Sequence, residues 1–130
     1  MKFVFIDTQS NPKNDFTIIK NIMEKNGIEY DDAKLNNENE IIEYVKDVDG
    51  FGLTFPIINE RIINSLTNCK VIVRNGVGFD NVDIPAATKK GIAVCNVPNF
   101  CSDEVATHAL ALILDAQRKI TLHDRNARKG

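Results

Sequence analysis

Arg74, Gly76, Gly78, Asp80 and Asn81 share one short stretch, RNGVGFDN, directly after the apolar run Val71-Ile72-Val73. Glycines at a strand end let backbone N–H groups turn outward and approach a ligand closely. An arginine beside them adds a planar fork that fits a carboxylate or phosphate. The chemistry this predicts is capture of a small anion. A plainer reading stands beside it: a tight turn whose glycines supply positive φ while Asp80 and Asn81 bond the backbone. Arg74 likewise has two readings, a ligand contact or an ion pair with Asp80 or Asp83, and exposed pairs of that kind contribute little.

A dinucleotide loop of the form GxGxxG is not complete here, because its third glycine position holds Asn81, and no Walker lysine follows. Asp7 ends an apolar run and raises the idea of a phospho-acceptor acid. The third apolar run ends in Leu53-Thr54 where such an acid belongs, and the fifth offers no lysine, so that idea is set aside. His108 reads as a hydrogen-bonding core or interdomain histidine and His123 as solvated. No second histidine or cysteine stands four residues from His108, so helical metal spacing is missing. Of the three cysteines, Cys69, Cys95 and Cys101, none forms a CxxC pair. Cys95, in an apolar strand, is expected to be a buried inert thiol; Cys101 falls in a loop.

The positioning elements alternate. Phe3 to Ile6 reads as a buried strand. A polar stretch with Pro12 follows. Phe16, Ile18, Ile19, Ile22 and Met23 recur at helical spacing up to Gly27. Ile28 to Tyr30 is a second strand and Asn36 to Glu40 a polar loop. Ile41, Ile42 and Val45 give a short helical face, and Val48 to Leu53 a third strand. Asn59 caps a helix carrying Ile62, Ile63 and Leu66. Lys70 to Val73 is the fourth strand. Asp83 caps a short helix ending at Gly91, with Pro85 in its first turn. Ile92 to Cys95 is the fifth strand. Ser102 to about Ile120 is a long helix, with Ser102 as N-cap and Asp103 and Glu104 complementing its dipole. The tail HDRNARKG, 123–130, reads as the start of a connection.

Five strands alternating with helices predict an α/β fold, a flavodoxin-like parallel sheet with helices on both faces. In such a sheet the ligand crevice lies at the carboxyl ends of the strands. Leu53-Thr54-Phe55, Arg74 to Gly78 and Asn96-Val97-Pro98 all fall there. At 130 residues, 43% hydrophobic and 26% charged, the chain has the makings of one globular domain. A net charge of −2 gives no ground for nucleic acid or an anionic membrane surface as partner. No apolar run is long enough to span a bilayer, and the opening residues are too short for a signal peptide, so a cytoplasmic setting is expected.

The stretch from Val71 to Leu114, VIVRNGVGFDNVDIPAATKKGIAVCNVPNFCSDEVATHALALIL, resembles the NAD-dependent D-isomer-specific 2-hydroxyacid dehydrogenases. The likeness is to members of the C-terminal-binding-protein, phosphoglycerate and glyoxylate dehydrogenase kinds. R-x-G-x-G-x-D-N-x-D, G-I-x-V-x-N-x-P and E-V-A-x-H-A-L-A-L occur in family order and at family spacing. Thr107, where an acid is frequent, and Asn99-Phe100 depart from the pattern.

The resemblance implies a substrate-binding domain over 1–101, an interdomain crossing helix over 102–122, and at 123–130 the start of a linker to an NAD-binding Rossmann domain. It implies that the family's catalytic arginine, glutamate and histidine lie beyond Gly130, so the 130-residue chain is expected to be inactive by itself. By the same likeness the amides of Val77 and Gly78 hold the substrate carboxylate, and Arg74, Thr54 and Leu53 line its pocket. Val77 and Val105 approach the nicotinamide of NAD. The apolar arc of the long helix is expected to drive homodimerisation or self-association. The alternative to a dehydrogenase is a non-enzymatic anion-binding module or an NAD-sensing, corepressor-like protein.

Overall fold

A computed structural model describes residues 1–10 and 16–130. Pro12 lies outside the described residues. The chain divides into two units, Met1–Pro98 and Asn99–Gly130.

The first unit is built on a sheet of five strands: β1 (Lys2–Phe5), β2 (Glu29–Asp32), β3 (Gly50–Leu53), β4 (Val71–Arg74) and β5 (Ala93–Cys95). The spatial order is β2-β1-β3-β4-β5 and every pairing is parallel. The helices between them are α1 (Thr17–Lys25), α2 (Glu38–Val45), α3 (Glu60–Ser65) and α4 (Ile84–Lys89), with a 3₁₀ turn at Thr8–Ser10. The order places β2 on one side of β1 and all later strands on the other. Right-handed crossovers then put α1 on one face and α2, α3 and α4 on the opposite face.

Strand alternation follows that division. Val4, Ile6, Phe51, Leu53 and Ile72 point to the three-helix face and form one buried core with Ile41, Val45, Ile62, Ile63, Ala86 and Ala87. The other face carries Phe5, which packs on Phe16 with ring centroids 4.9 Å apart. Gly50 and Gly52 of β3 also face that side, where a Cβ would come within 2.7 Å of Val71 Cγ1 and 2.6 Å of Phe5 Cδ2. Ile19 and Met23 of α1 are half-buried, while Ile18 and Ile22 are exposed, so only one edge of the expected helical stripe is used.

Cap chemistry fixes the helix ends. The side chains of Asn37, Asn59 and Asp83 accept from the amides of Glu40, Ile62 and Ala86 at 2.9, 3.1 and 3.0 Å. Asn37 moves the start of α2 into the stretch expected as loop, because its side chain satisfies an amide that would otherwise be orphaned. Gly27 and Gly91 stand at φ +69° and +68° just past α1 and α4. Each closes a Schellman turn, with Ile28 N bonded to Met23 O and Ile92 N to Ala87 O, both at 2.9 Å. Lys90 Nζ donates to the carbonyls of Ile63, Asn64 and Leu66 and so closes the C-terminal end of α3.

Cys95 is exposed, contrary to the expectation of a buried thiol. It sits on an edge strand whose outward residues, Ala93 and Cys95, find no helix above them within this unit. Cys69 is the buried cysteine, and burial pushes its thiol pKa up, which keeps it protonated and inert.

The second unit is helical: α5 (Ser102–Arg118) and α6 (Ile120–Ala127). The long helix ends at Arg118, two residues before the expected Ile120, and its C-cap Lys119 is left-handed with φ 55°. The tail expected as linker is helical to Ala127. Asp115 accepts the amide and hydroxyl of Thr121 at 2.7 and 2.9 Å, which stitches the second helix onto the break. Ser102 is the first helical residue and not the N-cap. Left-handed Cys101 takes the cap position without a side-chain bond, and Asp103 and Glu104 occupy the first turn as expected. Among the described residues no helix is long and apolar enough to cross a membrane.

Candidate functional site

Four strand ends meet at one edge of the first unit, and a set of side-chain bonds locks their loops together. Asp7, just past β1 and 1% exposed, accepts the amides of Thr54 and Phe55 at 2.9 and 3.0 Å. Asn81 grips the same loop from the opposite side, its Nδ2 donating to Thr54 O and Pro56 O at 3.2 and 2.8 Å. The backbone between Ile58 and the 81–83 segment is paired in both directions, Ile58 N to Asn81 O and Asp83 N to Ile58 O. Past β5, Asn96 Nδ2 donates to Val77 O at 2.7 Å and Val97 N to Gly76 O at 3.0 Å. The carbonyls of Gly76 and Val77 are therefore engaged from behind. Among the described residues, the amides of Val77 and Gly78 have no protein acceptor. Two adjacent free N–H groups at a strand end suit an anion.

Arg74 completes this arrangement. Among the described residues it makes no ion pair, with Asp80, Asp83 or any other acid, and its buried Nε has no partner. Its guanidinium lies over Gly76, where a Cβ would come within 2.8 Å of Cζ. Gly76 and Gly78 are not among the positive-φ residues. Gly76 is a glycine because the arginine occupies the space of its side chain, and the turn reading based on positive φ does not hold. Asp83 is committed to the α4 cap.

Thr54, Arg74 and Gly78 come together around a cavity of about 180 Å³ that Phe55, Asp80 and Asn81 complete. The hydroxyl oxygen of Thr54 is buried and unpartnered. Leu53 stands apart: its side chain is fully buried in the core, and its carbonyl accepts Asn75 N at 2.7 Å. Val77 presents an apolar side chain 46% exposed at the loop tip. Val105 belongs to the second unit, where it is 67% exposed on α5.

Exposed apolar groups such as Val77 suit the face of a nicotinamide ring. The loop does not suit a pyrophosphate: Asn81 occupies the third-glycine position and its amide is spent on two carbonyls.

Sequence reasoning missed Asp7 as the anchor of the 54–55 loop. The available signal was an acid ending an otherwise buried strand, which needs partners of its own in the fold. It also missed the clamping role of Asn96; that Asn81 bonds the backbone was expected, but its partners, the carbonyls of Thr54 and Pro56, are ones that no residue pattern marks.

Comparison with known proteins places the chain. The family model for the D-isomer specific 2-hydroxyacid dehydrogenase catalytic domain matches residues 5–126. A D-3-phosphoglycerate dehydrogenase of Archaeoglobus fulgidus is 38% identical over 109 residues, covering 83% of this chain and 21% of the relative. A glyoxylate reductase of Thermococcus litoralis is 34% identical over 129 residues, covering 98% of this chain and 38% of the relative. The NAD+-bound 3-phosphoglycerate dehydrogenase of Entamoeba histolytica superposes with a TM-score of 0.74 at 33% identity, over 88% of this chain and 38% of that one. The chain thus spans between about a fifth and two fifths of the length of these relatives. It belongs to the D-isomer specific 2-hydroxyacid dehydrogenases, a family of oxidoreductases that act on small 2-hydroxy and 2-oxo acids.

Proposed function

We propose that this chain is the substrate-binding part of an NAD(H)-dependent oxidoreductase that interconverts a 2-hydroxy acid and its 2-oxo acid. The observation that carries the proposal is the pair of free amides at Val77 and Gly78 beside the unpaired Arg74. Within a family that handles 2-hydroxy acids, these groups hold the substrate carboxylate. Two N–H donors and a guanidinium fix its plane and direction, and that orientation is a large part of what a hydride transfer requires. Bound nicotinamide would supply or accept the hydride. Val77 would offer an apolar surface that faces its ring. Thr54 closes the carboxylate end of the pocket, and Leu53 supports it from the core.

On this reading 1–101 is the substrate-binding domain and 102–122 the crossing segment, with the connection toward a nucleotide-binding domain starting inside α6. The isolated 130-residue chain binds acid without turning it over, in a cytoplasmic setting. It self-associates through the exposed apolar side chains of α5.

The test is titration of the ¹⁵N-labelled chain with glyoxylate, hydroxypyruvate and pyruvate. The Val77 and Gly78 amide signals should move, with saturation at roughly millimolar acid, and Arg74→Ala should weaken binding about tenfold. Binding that leaves those amides unmoved would remove the carboxylate site. Oxidation of NADH by the chain alone would overturn the claim that it is inactive.

A further inference from the structure

The joint between α5 and α6 contains none of the residues that end helices by their own nature. From Ala116 to Leu122 the chain holds neither glycine nor proline, and Ala116, Gln117, Arg118 and Lys119 are all good helix formers. Lys119 nevertheless stands at φ 55° and ψ 36°, a left-handed conformation that is costly for any residue with a Cβ. The break also forgoes backbone pairing. In one continuous helix the amides of Lys119, Ile120, Thr121 and Leu122 would donate to the carbonyls of Asp115, Ala116, Gln117 and Arg118. None of these four bonds is made.

No residue of either helix is buried, so burial within this unit does not offset those losses. Asp115 does. Its carboxylate accepts the Thr121 amide at 2.7 Å, and the Thr121 hydroxyl lies 2.9 Å from both of its oxygens. Those bonds, the amide first, lower the Asp115 pKa and keep the group charged at neutral pH. A charged acceptor makes stronger bonds than a neutral one. Within the two helices Asp115 alone is half-buried while the rest are exposed, which fits Thr121 being folded back on it.

We propose that residues 102–127 form a two-state helix, latched in its broken form by the bonds between Asp115 and Thr121, and that release of the latch lets α5 and α6 run on as one helix of about 39 Å. Release turns Lys119 right-handed and makes the four missing backbone bonds. The two forms send the chain after Lys119 in different directions. In the continuous form Ile120 stands seven residues, two turns, beyond Ile113 and extends the apolar arc of α5. The latch therefore sets how far that arc reaches. Neither form depends on the carboxylate site of the first unit.

The experiment uses the full 130-residue chain labelled with ¹⁵N and ¹³C. The Cα shift and the amide–Hα coupling of Lys119 distinguish left-handed from right-handed backbone, and hydrogen exchange reports the amides. In the parent, Lys119 should read left-handed, with the amides of Lys119, Ile120 and Leu122 unprotected. Asp115→Val removes the acceptor, and valine forms helix no better than aspartate, so propensity is held level. In that variant Lys119 should turn right-handed, and exchange at those three amides should slow about tenfold. If Lys119 stays left-handed in Asp115→Val with the same amides unprotected, the latch is refuted. A parent chain already right-handed at Lys119 refutes it too. Loss of helical shifts over residues 103–114 in the variant also overturns the proposal, since a latch between two helices is not what forms them.

Discussion

The guanidinium of Arg74 occupies the space that a side chain on Gly76 would fill. Neither residue explains the other from its own properties. Gly76 has an ordinary φ and would accept alanine on backbone grounds. The arginine, two positions earlier, needs the opening to fold back over the backbone of Gly76. A Cβ at Gly78 would meet only Asp80 Oδ2 at 3.5 Å, an ordinary contact, so the two glycines of the motif are there for different reasons.

Gly76→Ala therefore separates function from stability. The added methyl displaces a flexible arginine tip, and the alanine stiffens the unfolded chain, so stability should change by no more than about 1 kcal/mol. Carboxylate binding should weaken about tenfold, because the guanidinium is pushed out of line. Gly78→Ala is the control and should leave Arg74 in place. Denaturant melts and amide titrations of both variants check this. Unaltered acid affinity in Gly76→Ala would show that Arg74 has no part in binding.

Asp7→Asn tests the anchor. The carboxylate is buried and accepts two amides, and hydrogen bonds to a buried charged group are worth more than neutral ones. Asparagine keeps the shape but offers one oxygen, so one amide of the 54–55 loop loses its acceptor. A loss of about 2–3 kcal/mol in denaturant stability is expected. Line broadening or shifts should also appear at Thr54 and Phe55 while β4 signals stay put. A variant as stable as the parent would mean that Asn81 alone holds the loop.

The strands, most of the caps and the strand ends that carry the candidate site's loops were legible in the sequence. Alternation of apolar runs with helical stripes fixes a parallel sheet, and a parallel sheet fixes where ligands sit. What escaped was decided by partners distant in the chain. Asp7 and the 54–55 loop lie 47 and 48 positions apart. The exposure of Cys95 depends on β5 being an edge strand, which strand order settles and local pattern does not. The break at Lys119 has no glycine or proline to announce it, since a lysine takes the left-handed conformation there. Gly76 and Gly78 matched a motif in type and spacing, but the reason for Gly76 required seeing Arg74 fold back over it.

Alkaline pH should reveal the phenol cluster at β2 and α2. Tyr44 donates to Asp31 at 2.6 Å, and the chain has only two tyrosines, Tyr30 and Tyr44. Burial, with nearby Asp32 and Asp31, raises the Tyr30 pKa to about 12. Burial and then the bond to Asp31 push Tyr44 higher still. Both folded values lie above the unfolded value near 10, so the folded state binds more protons in that window. Their stabilising contribution is complete below about pH 10 and is lost as pH rises through the folded values. On the acid side the Tyr44 hydroxyl lowers the Asp31 pKa. That contribution is present above the ordinary carboxylate range and fades as pH falls through the lowered value. Absorbance titration of the phenolates should show no ionisation at pH 10 in the native chain, and Tyr44→Phe should remove the higher step. A normal titration near pH 10 in the folded protein would contradict the cluster.

The self-association proposed for the second unit rests on exposed apolar residues of α5: Val105, Leu110, Leu112, Ile113 and Leu114 are between 44% and 67% exposed. Scattered apolar residues on a surface need no explanation, but these follow one another along a single helix and form a continuous arc. Leu110 and Ile113 lie three residues apart, so they are neighbours on the helix surface. A second copy presenting the same arc would bury both at once, which a two-fold pairing achieves with one patch. Sedimentation velocity over a rising concentration series should therefore show mass growing toward dimer or beyond. Leu110→Lys combined with Ile113→Glu should return the chain to monomer with its first unit still folded, as judged by unchanged β3 and β4 amide signals. A parent chain that stays monomeric at the highest concentration would show that α5 does not pair with itself.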